Sequence, residues 1–334
     1  MTATMFGIWA LKAVILIFLL LVGFAYATYF ERRVIARIQA RLGPNRAGPW
    51  GLLQPAADGV KLIFKEEFIP AKANKVLFTL APILTVIPAF LLGAVVPWGG
   101  EVPFFGRTVH LYLADVDVAT LYVVAIGSLA VYGIVLAGWS SNNKYSLLGG
   151  LRSAAQMISY ELALGLALVG PILLAGSMSL VKIVEAQKSL WYVVYQPLAF
   201  VIFVIAAFAE INRPPFDLPE AEQELTGGYH TEYGGMRFAL FFMAEYIKVV
   251  VLSAIIAAVF LGGYYGPGVE RFPWLGPVYM FVKIIVMAFF AVWTRATLPR
   301  FRYDRLMAFG WKVLFPLALL NVFLTALGIV LLGG

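Results

Sequence analysis

The run IWALKAVILIFLLLVGFAYAT at residues 8–28, followed by ERRVIARIQAR at 31–41, decides the class of fold. As a helix the first part is long enough to cross ~30 Å of hydrocarbon. Lys12 is the only basic residue on its leading side, while Arg32, Arg33 and Arg37 crowd its far side. Ala25-Tyr26-Ala27 has the small-residue spacing of a signal-peptidase site. Basic residues stay in the cytoplasm, however, so the run is expected to enter with its N-terminus outside and to remain.

The rest of the chain repeats the pattern. Of its 334 residues 62% are hydrophobic and only 13% charged, and the mean hydropathy is +0.87. That is far too little charge to wet the surface of a soluble domain. Further apolar runs at 76–97, 118–139, 156–176, 191–210, 238–262, 276–295 and 312–333 bring the expected spans to about eight. The expected fold is therefore an all-α integral membrane protein, a single membrane domain over 1–334. Segments 31–75, 140–155, 211–237 and 295–312 carry nine, two, two and five Lys or Arg, 18 of the chain's 25. Arg107, Lys182, Lys188 and Arg271 are all that the opposite loops hold. This asymmetry predicts both termini outside and every long polar loop inside. The net charge of +7 thus reflects orientation, and a nucleic-acid partner is not expected.

The chain has no cysteine, which removes Fe–S ligation, thiolate zinc and disulfides together. His110 and His230 lie between apolar runs, so no histidine pair is available for haem within the spans. No metal or flavin is expected on this chain, and no catalytic residue acts by itself.

Two inside loops stand out. In the first, 31–75, Val34, Ile35, Ile38 and Leu42 recur at helical spacing while Arg33, Arg37 and Arg41 share another face. Gly43-Pro44-Asn45 stops that pattern, and Pro55 suits the first turn of a second amphipathic helix bearing Leu52, Val60, Ile63 and Phe64. Such helices either lie in the headgroup layer or form a platform for soluble partners. Asp58 and Lys61, three apart, are placed to pair.

The second loop, 210–237, holds Glu210, Asp217, Glu220, Glu222, Glu224 and Glu232. Its three prolines and Gly227-Gly228 exclude a continuous helix. Acidic residues at alternate positions suit a strand or turn that presents Glu220, Glu222 and Glu224 to one side. A solvated acidic loop is the bland account, and it weakens because ionisable residues also lie within the spans. Glu161, Glu210, Glu245, Lys248 and Lys283 fall in or at the ends of apolar runs. A charge at the bilayer centre costs at least ~2.5–3.5 kcal/mol, so such groups usually face a bundle interior or a water cavity. Glu245 and Lys248 have the spacing of a structural pair. Three carboxylates leading toward an acidic loop also have the layout of a proton path.

These residues carry a resemblance. Glu31-Arg32-Arg33, Arg41 to Arg46 with Gly51 to Pro55, Leu151-Arg152 through Ser159-Tyr160-Glu161, and Glu210 to Glu224 resemble a known family. It is the quinone-site membrane subunit of respiratory complex I, the H subunit of NADH:quinone oxidoreductase. Met243 to Tyr246, Arg300 to Asp304 and Trp311-Lys312 also match, so the likeness runs from about Phe30 to about Pro316. Departures such as Ile211, Pro214 and Thr226 remove no charge.

The resemblance implies a bundle at the heel of the membrane arm, in the cell inner (plasma) membrane. It implies two soluble partner subunits on the inside face, one carrying the terminal Fe–S cluster, and antiporter-like and small membrane-arm subunits beside it. It implies quinone as substrate, entering from the bilayer into a chamber lined here by Glu31, Arg32, Asp58, Arg213, Phe216 and Arg295. It assigns Glu161, Glu210, Glu220, Glu222, Glu224 and Glu245 to an acidic chain that couples the chamber to proton translocation. A secondary transporter and a membrane-bound hydrogenase subunit are the rival functions. An inverted hydropathy repeat would favour the first, and none is visible.

Overall fold

The computed structural model describes residues 3–104, 107–218 and 226–332. Helix α1 runs unbroken from Ala3 to Ile38, 36 residues, so at 1.5 Å per residue it is ~54 Å long and overreaches the hydrocarbon. The first inside amphipathic segment is therefore not a separate helix but the overhanging end of α1. No glycine or proline lies between Gly23 and Gly43 to break it. The chain then turns at Ala40, whose φ of 53° is left-handed, and Arg41 N–H donates back to Ala36 O at 2.8 Å. At Gly51 φ is 80°, and a Cβ would stand 2.3 Å from Pro44 O, so only glycine closes this turn.

Helix α2, Gln54–Phe64, follows as expected, with Pro55 in its first turn. None of its side chains is buried, and Val60, Ile63 and Phe64 stand exposed. It is tied to α1 by the Arg32–Asp58 ion pair at 2.6 Å, and the turn before it by Tyr29 Oη donating to Trp50 O at 2.7 Å. Asp58 thus pairs with Arg32 rather than with Lys61.

The bundle proper comprises α3 (Lys75–Gly93), α4 (Ala119–Ser140), α5 (Lys144–Ala175), α8 (Pro197–Ile211), α9 (Gly235–Phe260), α10 (Leu275–Thr297) and α12 (Phe315–Leu332). Short helices α6 (Leu180–Ala186) and α7 (Tyr192–Tyr195) lead into α8, and α11 (Tyr303–Phe309) joins α12 through a π turn at Gly310–Leu314. Strands β1 (Glu101–Phe104) and β2 (Arg107–His110) pair antiparallel, Glu101 opposite His110. Nothing in the sequence announces this hairpin, because runs so short carry no clear alternation.

Among the described residues seven helices are long and apolar enough to cross a membrane, α11 to α12 counting as one of them. The remaining expected span, 191–210, is broken at Gln196 and continues as the 15-residue α8. At ~1.5 Å per residue α8 rises only ~22 Å. It is the buried centre of the bundle, with Ala199, Ile202, Phe203, Ala206, Ala207 and Ala209 in the core. Around it α5 packs on α4 and α8, α9 packs on α3, α10 and α1, and α12 packs on α5. Close approach depends on small residues: a Cβ on Gly133 of α4 would lie 2.2 Å from Thr85 Oγ1 of α3.

Outward faces are apolar. Val14 and Phe18 of α1, Phe281 of α10 and Phe323 of α12 are exposed, a surface that only lipid or a neighbouring subunit solvates. Two of the intramembrane cations have structural roles at one end of the bundle. Lys12 Nζ donates to His110 O at 3.0 Å, and Lys283 Nζ donates to Gly263 O at 2.7 Å and Tyr265 O at 2.8 Å. The other end carries α2, α11 and the segment after α8, and the ionisable residues gather toward it.

Candidate functional site

Arg213 is the centre of the site. Helix α8 ends at Asn212, whose left-handed φ of 59° turns the chain sideways. Gln156 of α5 fastens that turn, its Nε2 donating to Ala209 O at 2.8 Å, Asn212 Oδ1 at 3.1 Å and Phe216 O at 2.7 Å. Below it, Asp217 pairs with Arg300 at 2.8 Å, and Phe301 N–H donates to Pro215 O at 3.1 Å. Phe216 is buried between Tyr160 and Phe301, ring centroids 5.5 and 5.7 Å away. The position of Arg213 is therefore fixed from several directions before its own side chain makes a contact.

That side chain is buried and meets two carboxylates. Arg213 Nη1 donates to Glu31 Oε2 of α1 at 2.6 Å, and its Nε faces Glu245 of α9 as an ion pair. The guanidinium plane lies over the Tyr246 ring, 4.2 Å from its centroid. Glu31, only 6% exposed, uses its second oxygen for Arg295 at the last turn of α10. Two arginines and two glutamates from α1, α9, α10 and the α8 turn thus form one compact, formally neutral cluster. A buried charge is tolerated in such a setting because its partners replace the lost water.

The row continues inward. Glu210, at the end of α8, accepts from Lys248 Nζ of α9 at 3.2 Å, and both are buried. Lys248 is accordingly not the partner of Glu245, as the i,i+3 spacing suggests: Glu245 is drawn to Arg213 and Lys248 to Glu210. Two cavities of about 20 Å³ each adjoin this pair. One is lined by Glu161, Ser128, Glu210 and Lys248, the other by Glu210, Asn212, Tyr229, Glu245 and Lys248. Each has room for about one water molecule beside polar groups. Glu161 is half-buried and has no cation within ion-pair distance among the described residues.

Of the residues singled out for the chamber, Glu31, Arg213 and Arg295 are in direct contact, Arg32 and Asp58 form the exposed pair linking α1 to α2, and Phe216 packs beside the Arg213 turn. Of the acidic set, Glu245 joins the arginine cluster and Glu210 and Glu161 follow it inward. Glu220, Glu222 and Glu224 lie outside the described residues. Sequence reasoning gives no role to Lys248 within this row, to Gln156, or to Tyr246, although the last adjoins Glu245 and its aromatic face is a natural seat for a guanidinium. His230 sits in a turn within the acidic loop, edge-on to Tyr229 and Phe238. Burial pushes its imidazole down to about 4, so it is neutral near pH 7 and adds no charge here. No group of three or more His, Cys, Asp or Glu able to hold a metal occurs among the described residues.

Known proteins are similar to this chain in sequence over most of its length. A family model described as NADH dehydrogenase matches residues 11–326. An H subunit of the NADH-quinone oxidoreductase of Geobacter metallireducens is 54% identical over 314 residues, covering 94% of each chain. The H subunit of the Thermomicrobium roseum enzyme is 55% identical over 313 residues, with 91% of this chain and 90% of that one covered. That of Protochlamydia amoebophila is 52% identical over 302 residues, with 90% and 91% covered.

Proposed function

Because the chain belongs to the NADH dehydrogenase family and is a multi-pass membrane subunit of an NADH-quinone oxidoreductase complex, we propose that the Arg213 cluster lies at the wide part of a quinone chamber and begins a proton-coupling path. The observation that carries this reading is the continuity of the ionisable row. Glu31, Arg213 and Glu245 are in ion-pair contact, and Glu210, Lys248 and Glu161 follow along two small cavities.

Reduction of a quinone consumes protons as well as electrons, so its site needs both a polar anchor for the head and a route for protons. Arg213 and Arg295 supply donors that can hold a quinone carbonyl oxygen, and Glu31 between them can exchange a proton. The exposed apolar face of α2, with Val60, Ile63 and Phe64, offers the surface an isoprenoid tail requires. The family resemblance implies the partner subunits: a soluble subunit bearing the terminal Fe–S cluster, with a companion, on the side of α2, and antiporter-like and small membrane-arm subunits along the bundle. A photoreactive short-chain quinone added to the whole complex should label peptides within 29–64 and 210–218. Labelling confined to 98–118 or 262–274, at the opposite end, would overturn the placement.

The orientation is proposed from the basic asymmetry: both termini outside, α2 and the 211–237 segment in the cytoplasm, in the cell inner membrane. The chain has no cysteine, so single cysteines report cleanly. Lys144 and Ser189 are exposed on opposite ends of the bundle. A membrane-impermeant maleimide should reach Lys144→Cys only from the cytoplasmic side and Ser189→Cys only from outside. Labelling of both from one face would refute this topology.

A further inference from the structure

The Glu210–Lys248 pair lines both small cavities, so it stands between Glu161 on one side and Glu245 with Arg213 on the other. Among the described residues no other ionisable pair is common to the two walls. We infer that Lys248 is a positioning residue that holds this junction closed, by binding the Glu210 carboxylate across the gap between the two cavities. The inference rests on the proton-path reading above and adds to it a residue and a task that the carboxylates cannot perform.

Lys248 is a mobile charge on a flexible stem, buried and anchored to Glu210 Oε1 at 3.2 Å. Its surroundings are fully specified on each side. Glu210 and Asn212 face it from the α8 end, Glu161 from α5, Ser128 from α4, Thr85 from α3, and Glu245 and Tyr229 across the second cavity, with Arg213 beyond Glu245. While Glu210 is ionised, the ammonium is held at it and the two cavities stay separate. When a proton arrives from the Glu245 side, the Glu210 carboxylate becomes a neutral carboxyl group. The ion pair is then lost, and Lys248 shares its first cavity with Glu161, a carboxylate without an ion-pair partner among the described residues. Movement of the ammonium toward Glu161 opens the junction, and Glu210 can pass its proton inward, regenerating its carboxylate and drawing the lysine back. One proton enters and one leaves, and no other reactant is needed.

The test is the ratio of protons pumped to NADH oxidised, measured on the whole complex in sealed proteoliposomes. In Lys248→Met the junction has no charge to close it, and the ratio should fall about threefold or more, since losing a buried ion pair shifts an open–closed balance by roughly tenfold at least. Lys248→Arg keeps the charge and should restore most of the ratio. A role confined to stability would change the amount of assembled complex and leave the ratio alone. Should Lys248→Met fail to assemble, Lys248→Gln, which still donates a hydrogen bond to Glu210, replaces it in the same measurement. A wild-type ratio in the neutral variant overturns the inference, as does a lowered ratio that Lys248→Arg does not raise. Glu161→Gln separates this inference from the one beneath it. If that variant pumps normally the path itself is misplaced, whereas if it is blocked and the Lys248 ratio is unchanged, only the role given to Lys248 is lost.

Discussion

Arg213→Lys is expected to leave the complex assembled while lowering its quinone-linked turnover roughly ten- to a hundredfold, the loss that one or two charge-assisted hydrogen bonds represent. Arg213 meets Glu31 through Nη1 and Glu245 through Nε, and its flat face lies on Tyr246. A lysine keeps the positive charge, so the two carboxylates remain compensated and the fold survives. It has one nitrogen instead of a fork, and cannot bridge α1 and α9 while stacking on an aromatic ring. If Arg213 only anchored a helix end at the headgroups, lysine would serve as well. The burial of the side chain already speaks against that, because a headgroup anchor reaches outward. NADH oxidation by a soluble acceptor, which reports electron entry upstream of the quinone, should be unaffected. Unchanged turnover with a short-chain quinone would remove Arg213 from the chamber.

Arg295 makes a useful contrast. It also pairs with Glu31, but its side chain is one-third exposed. The same substitution there replaces a partly solvated contact, and water can take over some of what is lost. The difference between the two positions is one of burial and bridging, since both carry the same charge and share one carboxylate.

How much of this is legible in the sequence depends on the range of the force involved. Lipid demands long apolar runs, so the helices and their order can be read directly, and Pro55 marks the start of α2. The unbroken passage of α1 to Ile38 is also readable in principle, since no glycine or proline intervenes after Gly23; the change from apolar to amphipathic pattern looks like a boundary and is none. The break at Gln196 is hidden because the residues on both sides are equally apolar. Ion pairing is the least legible. Spacing along a helix suggests Glu245 with Lys248 and Asp58 with Lys61, whereas each finds a stronger or better-placed partner on another segment: Arg213, Glu210 and Arg32. In a desolvated site the partner is set by which helices meet there, and local sequence spacing carries no information on that. The family resemblance points to Glu31, Arg213 and Arg295 as neighbours in function, and the structure brings them into contact. Its matching stretch 151–161 covers Gln156 but assigns it no role, although the hydrogen bonds of Gln156 hold the Arg213 turn in place.

Glu161→Gln is the second substitution with a large expected effect, and the pairing pattern makes it the cleanest test of the carboxylate path. Glu245 and Glu210 each have a cationic partner, so neutralising Glu210 strands Lys248 and neutralising Glu245 leaves Arg213 only Glu31, which Arg295 shares; either change mixes a structural penalty with any loss of function. Glu161 has no such partner within the described residues. If it were a fixture, replacing a lone half-buried carboxylate with an amide of the same shape should be harmless or stabilising. If it relays protons, the amide keeps the shape and loses the only property that matters, because it cannot take up and release a proton. Removing a positioned proton-transfer group commonly costs ~10²–10⁴ in rate. A drop of roughly a hundredfold in quinone-linked turnover is therefore expected, with the complex assembled and upstream NADH oxidation intact. Proton pumping should fall by the same factor, so that the protons moved per NADH in the residual turnovers stay constant. That proportional fall is what distinguishes a blocked relay from an opened junction, in which the ratio itself collapses. Wild-type turnover and proton yield in Glu161→Gln would leave the row from Glu31 to Glu161 as scaffolding for the arginine cluster, and only the chamber would stand.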